Sequence, residues 1–256
     1  MRFDPRLLAT AALAALLIAS PAAAPAQSFS GDQRGEIERI VREYLLSHPE
    51  LLQEVMTELE KRQAAAESEK HRAAVQEHNA TIFSSPRQVT LGNAQGDVTV
   101  VEFFDYNCGY CKRAMSDMLE LLKDSKVKFV LKEFPVLGEG SVQAAQVAAA
   151  ARMQDKTGKK YLEFHQKLLG GRGQADKTRA LAVAKEVGFD VARIEKDMAS
   201  DEVKAQIEES FKLAEALGLN GTPSYVVGNE VVVGAVGLGP LKDKVTAARC
   251  GGKATC

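Results

Sequence analysis

Cysteine is scarce in this chain, with four residues in 256, too few to build a fold on disulfides in place of a core. An excess of charge of either sign is missing too. Thirty-three lysines and arginines face 34 aspartates and glutamates, for a formal net charge of −1, so there is no electrostatic footprint for nucleic acid and none is expected as a partner. Eight prolines and 20 glycines exclude a collagen-like repeat and wholesale disorder. Long apolar runs are absent past the first 26 residues, and the one early run, Leu7 to Ala19, is shorter than the roughly 20 residues that span a bilayer. What remains is an ordinary globular composition, 45% hydrophobic and 26% charged, with length for one large domain or two small ones.

The early run follows Arg2 and Arg6, breaks at Ser20-Pro21 and leads to Ala24-Pro25-Ala26. A basic start, a short apolar stretch and a small-x-small site predict a signal peptide over residues 1–26, cleaved before Gln27. With no cysteine there to carry a lipid, the expectation is an exported, periplasmic protein whose cysteines meet an oxidising compartment.

Helical periodicity comes next. Ile37, Ile40, Val41, Tyr44 and Leu45 form one stripe, and Leu51, Leu52, Val55, Met56 and Leu59 repeat it after Ser47-His48-Pro49-Glu50, where Pro49 suits the first turn of a new helix. Two short amphipathic helices bury too little surface to fold alone. Beyond Glu60 the pattern is polar on all sides, as in a helix that bridges parts. Residues 27–60 therefore read as a homo-oligomerisation module and 61–85 as a helical linker, with docking onto the downstream domain as the alternative. A catalytic domain is expected over 86–256.

That domain opens on Val98 to Phe104, a β-branched and aromatic run that reads as a buried strand. Asp105-Tyr106-Asn107-Cys108-Gly109-Tyr110-Cys111 follows, and then Met115, Met118, Leu119 and Leu122 at helical spacing. Cys108 thus falls where a strand hands over to a helix. The unsatisfied amides and positive dipole end there favour an anionic sulfur. The i, i+3 spacing sets Cys111 one turn inside. Cys108 is expected as the exposed attacking thiolate, and Cys111 as the thiol that resolves the mixed disulfide. A zinc site normally wants four ligands, whereas Cys250 and Cys256 are more widely spaced, so no metal and no cofactor is expected.

Residues 141–217 read as almost wholly helical, in segments Ser141–Met153, Tyr161–Leu168, Asp176–Val187, Val191–Met198 and Glu202–Leu217. Gly170-Gly171-Arg172-Gly173 reads as a connector. Tyr225 to Val233 reads as a hairpin turning at Gly228-Asn229. His71 and His78 read as solvated stalk residues, and His48 and His165 join no constellation.

From Gln88 onward the chain resembles the thioredoxin-like DsbA/DsbC superfamily of exported thiol-disulfide oxidoreductases. The resemblance rests on Cys108-Gly109-Tyr110-Cys111, on Glu102-Phe103-Phe104 before it, on the strand Val127–Pro135 and on Gly221-Thr222-Pro223. It implies an α/β thioredoxin-like fold with an inserted helical domain at about 138–218, and a cis-proline loop in which Thr222 and Pro223 bind an extended substrate. It implies a buried pair of Glu102 and Lys132 beneath the disulfide that tunes the sulfurs and moves protons. A paired structural charge is the plainer reading of that pair. Gly109-Tyr110 is like the dipeptide of the isomerase DsbC and lacks the imidazole of DsbA.

The N-terminal module with its central His48-Pro49-Glu50 is similar to that of the ScsC group (suppressor of copper sensitivity). That likeness implies a homotrimer, disulfide isomerase activity and a link to copper resistance. Partners implied are cysteine-containing exported proteins and a membrane redox partner, either reductase or oxidase. A DsbA-like dithiol oxidase and a copper-binding protein stand as alternatives. Cys250 and Cys256, in a flexible polar tail, are expected to form a structural disulfide in an oxidising compartment, with Cu(I) binding or intermolecular pairing as the other readings.

Overall fold

The computed structural model describes residues 29–253 and 255–256, so the segment read as a signal peptide lies outside the described residues. Two compact units divide between Glu58 and Leu59.

The first unit begins with helix α1, Gly31–Ser47. Ser30 caps it with a reciprocal capping box: its hydroxyl accepts from the Gln33 N–H while the Gln33 side chain accepts from the Ser30 N–H. The helix ends at His48, and α2, Glu50–Glu77, starts after Pro49, a residue whose missing N–H costs nothing at a helix start. No residue of α1 is buried. Ile40, Val41 and Tyr44 on α1, and Leu52, Val55 and Met56 on α2, each keep about half their surface exposed.

The second unit is built on a five-stranded sheet in the order β1-β3-β2-β4-β5. The strands are β1 Val89–Gly92, β2 Val98–Phe104, β3 Val127–Glu133, β4 Ser224–Val227 and β5 Glu230–Val233. β2 and β3 run parallel, joined through α4, Gly109–Leu121, and the other pairings are antiparallel. Gly228, at φ 58°, supplies the left-handed turn between β4 and β5. Between β3 and β4 lie α5 Glu139–Arg152, α6 Lys159–Gly170, α7 Lys177–Val187, α8 Val191–Asp197 and α9 Asp201–Ala216, within a residue or two of the boundaries expected. Helix α10, Leu238–Arg249, closes the chain.

Strand alternation splits the interior into two cores. Val100 and Phe104 of β2 join Phe129 and Leu131 of β3 and the apolar faces of α4 to α8 and α10. Val101 and Phe103 face the other way, with Val130, Phe134, Val226 and Leu213 of α9. Val75 of α2 and Ile82, on the short helix α3 at Asn79–Ser84, are fully buried in this second core. The packed interior of the second unit therefore begins within the 61–85 stretch. Two features went unforeseen: α3 is only six residues long, and β1 is a four-residue edge strand. Neither is long enough to establish a period in sequence.

Candidate functional site

The site begins with the end of β2. Phe104 closes the strand, the chain turns through Asp105-Tyr106-Asn107, and Cys108, in an extended conformation at φ −76° and ψ 115°, is the N-cap residue of α4. Its sulfur takes the place of a capping oxygen, accepting from the Cys111 N–H at 3.4 Å. The next turn of α4 holds Cys111, which is fully buried along with Ala114, Met118 and Leu121 at 2, 1 and 3% exposure on the helix's inner face. Both cysteines are free thiols.

Their chemistry diverges. The Cys111 thiol, the Thr222 side chain and the N–H groups of Cys111 and Tyr110 together hold the Cys108 thiol down to about 5 against the opposition of burial. Cys111 is pushed far up, first by its bond to Cys108, then by burial and by the charge of Glu102. At neutral pH the pair is one thiolate and one thiol. Opposite it, the Thr222–Pro223 peptide is cis, and the Thr222 carbonyl lies 3.2 Å from the Cys108 sulfur.

Residues 99–246 match the DSBA-like thioredoxin domain, over half of the chain, and residues 33–66 match the copper resistance protein ScsC N-terminal domain. The chain belongs to the DSBA-like thioredoxin domain family. A thioredoxin-like oxidoreductase from Silicibacter pomeroyi DSS-3 is 48% identical over 67% of this chain and 97% of its own, with a TM-score of 0.63. The thiol-disulfide exchange protein alpha-DsbA2 from Wolbachia pipientis is 30% identical over 70% of this chain and 96% of its own, with a TM-score of 0.65. Proteus mirabilis ScsC, at 24% identity, shares the fold over 88% of this chain and 98% of its own, with a TM-score of 0.63. Curated relatives include the Na(+)/H(+) antiporter NhaA 1 of Salinispora arenicola, 29% identical over 64% of this chain, and the chain spans only 25% of that protein's length.

Within the DSBA-like domain, Glu102 and Lys132 lie on opposite faces of the sheet. Glu102 points to the same sheet face as Phe104, 3% exposed, with Tyr225 opposite it on β4 donating its hydroxyl. Burial, and then the charge of Cys108, push its carboxyl up to about 8. Lys132 is aligned with Phe103 across the parallel pair, which sends it through the sheet to the opposite core. There its ammonium, 2% exposed, donates to the Thr81 carbonyl at 2.8 Å and to Glu209 at 3.3 Å. The Glu102/Lys132 pair is corrected accordingly: Tyr225 is the partner of Glu102, and Lys132 holds α3 and α9 against the sheet.

A second correction concerns exposure. Cys108 was expected to stand open, yet it keeps only 5% of its surface, because the cis-proline loop lies against it. Tyr110, by contrast, is 59% exposed, with the Arg113 guanidinium 4.3 Å over its ring. A Cβ added at Gly109 would point into open space, with nothing within 4 Å.

Several neighbours were not legible in sequence. Asp105, 1% exposed, accepts four hydrogen bonds, and Asn107 bridges to Ser141 and Ala175 of the insertion. Lys112 reaches the Gly171 carbonyl at 2.9 Å, tying the glycine-rich connector to α4. His165, pushed down to about 3 by burial and so neutral, sits with Nδ1 3.3 Å from the Tyr106 hydroxyl, which lies 3.2 Å from that of Tyr161; Tyr161 donates to the buried Glu133 at 2.7 Å. Cys250 and Cys256 are joined in a disulfide.

Proposed function

We propose that this DSBA-like protein is an exported, periplasmic disulfide isomerase or reductase that works as a homo-oligomer, with three chains favoured. The observation that carries the chemistry is the asymmetric pair, a Cys108 thiolate over a protonated, buried Cys111. The thiolate attacks a client disulfide, forming a Cys108–client bond and expelling one client thiolate. That thiolate can attack a different client disulfide, and a further client thiolate then displaces Cys108; the client is reshuffled with no net redox change. Alternatively Cys111 gives its proton toward Glu102 and attacks Cys108, releasing reduced client and leaving the 108–111 disulfide for a membrane reductase to reduce.

The isomerase reading is supported by Gly109-Tyr110, which places no imaidazole-like cation beside Cys108, and by the uncovered apolar stripe of α1 and α2, which would gather several thiolates in one assembly. The match of residues 33–66 to the ScsC N-terminal domain supports the same assembly. Scrambled ribonuclease A incubated with the reduced protein is expected to regain activity. No recovery with Cys108 intact and reduced rejects the isomerase reading.

The second reading, a dithiol oxidase, is favoured by Glu102, whose carboxyl at about 8 lies near working pH and suits proton transfer in either direction. Rapid oxidation of a reduced peptide, with re-oxidation by a quinone-linked membrane partner, would favour it. A role in Cu(I) binding would draw on Cys108 and Cys111, since the sulfurs of Cys250 and Cys256 are bonded to each other.

A further inference from the structure

We propose that the connector at 171–175 and the first turns of α4 form a cationic rim beside the nucleophile, and that this rim selects disulfides with carboxylates next to the reacting sulfur. The proposal rests on the reading of Cys108 as nucleophile and names the substrate class of that site. The connector is fastened at both ends to residues that flank Cys108. At one end the Lys112 ammonium donates to the Gly171 carbonyl at 2.9 Å. At the other, the Asn107 side chain accepts from the Ala175 N–H at 2.7 Å and donates to the Ala175 carbonyl at 2.9 Å. Arg172, Gly173 and Gln174 lie between the two tethers, and all three are exposed.

Glycine makes room for charge here. A Cβ on Gly171 would collide with the Arg179 guanidinium, and one on Gly173, at φ 79°, would lie 3.5 Å from it, so Arg179 of α7 is seated in the bend of the connector. On α4 the Arg113 guanidinium lies 4.3 Å over the exposed Tyr110 ring. Segments 107–117 and 171–179 hold five lysines and arginines against two aspartates, in a chain whose formal net charge is −1. One of the two, Asp176, is turned to the Arg179 N–H as the cap of α7. Ion pairing separates these cations from others. Arg87, Arg152, Arg193 and Arg249 each meet a carboxylate, whereas Lys112, Arg113, Arg172 and Arg179 pair with none among the described residues. Cations without internal partners raise the local concentration of anions, and a guanidinium matches the planar fork of a carboxylate. The tethers order the connector before a client arrives, which lowers the cost of binding. The exchange step is the same for any disulfide: the Cys108 thiolate bonds to one sulfur and the other leaves as thiolate. What the rim adds is preference at encounter.

The test uses two disulfide-linked peptide dimers, identical except that the residues flanking cysteine are Glu in one and Lys in the other, and uncharged hydroxyethyl disulfide. Each exchange rate with the reduced protein is divided by the rate with free 2-mercaptoethanol, which removes the disulfide's own reactivity. At low ionic strength the Glu dimer should then exchange about tenfold faster than the Lys dimer. The ratio should approach one near about 1 M salt, where the screening length is about 3 Å. Arg172→Glu, at an exposed loop position, should lower the low-salt ratio severalfold, and Arg113→Glu added to it should lower the ratio further. Arg172→Lys keeps the charge and should keep the preference. A wild-type ratio near one at low salt, a ratio indifferent to salt, or an Arg172→Glu variant with the wild-type ratio overturns the proposal. If the wild-type protein leaves hydroxyethyl disulfide and both dimers intact, it is the reading of Cys108 that fails.

Discussion

Two cysteines three positions apart ionise in opposite directions because the first turn of a helix treats its positions unequally. Cys108 receives N–H groups that no backbone carbonyl uses, whereas Cys111 lies one turn down among apolar side chains. Ionising Cys108 stabilises only the dithiol form, since a disulfide has no thiol to ionise, so the couple should be oxidising. The sign follows from linkage: the folded value of about 5 is below the ordinary value of 9.0, so the gain is complete above pH 9 and is lost as pH falls through 5. The melting temperature of the reduced protein is therefore expected to exceed that of the Cys108–Cys111 disulfide form at pH 8, and the gap should close toward pH 5. Glu102 adds an opposite trend, shared by both forms where it comes from burial and present only in the reduced form where it comes from the Cys108 charge. Its raised carboxyl contributes stability that is full below about 4.5 and lost as pH rises through about 8. Calorimetry on both forms across pH 5–8 checks the difference; a gap that does not change with pH would mean that Cys108 ionises as an ordinary thiol.

Elements were legible where their patterns were long. The strand Val98–Phe104, the helix after Cys108, five insertion helices and the turn at Gly228-Asn229 could all be read from period, glycine and β-branched runs. Register was not legible. Whether Lys132 shares a face with Glu102 depends on a one-residue alignment between β2 and β3, and no local pattern encodes it. Asp105 was hidden for a related reason, since a short polar stretch after a strand reads as solvated turn and only tertiary contacts reveal the donors around it. The corrected place of Lys132 makes its own prediction. Lys132→Met removes the donor to Thr81 and the partner of Glu209, and should cost about 1–3 kcal/mol in urea unfolding. The pH midpoint of Cys108 alkylation should stay where it is, because the sheet stands between the two. A shifted midpoint would restore Lys132 to the redox site.

At the scale of the whole molecule, the two units differ in what they bury. The catalytic unit closes two cores around its sheet, while Ile40, Val41, Tyr44, Leu52, Val55 and Met56 leave a row of apolar side chains about half exposed on α1 and the start of α2. A row of that size on a lone chain marks an interaction surface, and a pair of helices without a core of its own needs a partner to cover it. Copies of the same stripe meet that need without any second protein. Light scattering of the mature protein should then give a multiple of the chain mass. Val55→Glu places a charge where the copies would meet, a burial the assembly cannot compensate, and should return the mass to that of one chain. Its effect on activity separates assembly from chemistry. Each freed catalytic unit keeps its own Cys108, so exchange with glutathione disulfide per site should persist, while recovery of scrambled ribonuclease, which profits from several thiolates acting on one client, should fall. An unchanged mass in Val55→Glu would mean that the stripe is covered in some other way, and the advantage claimed for a multi-thiolate assembly would go with it.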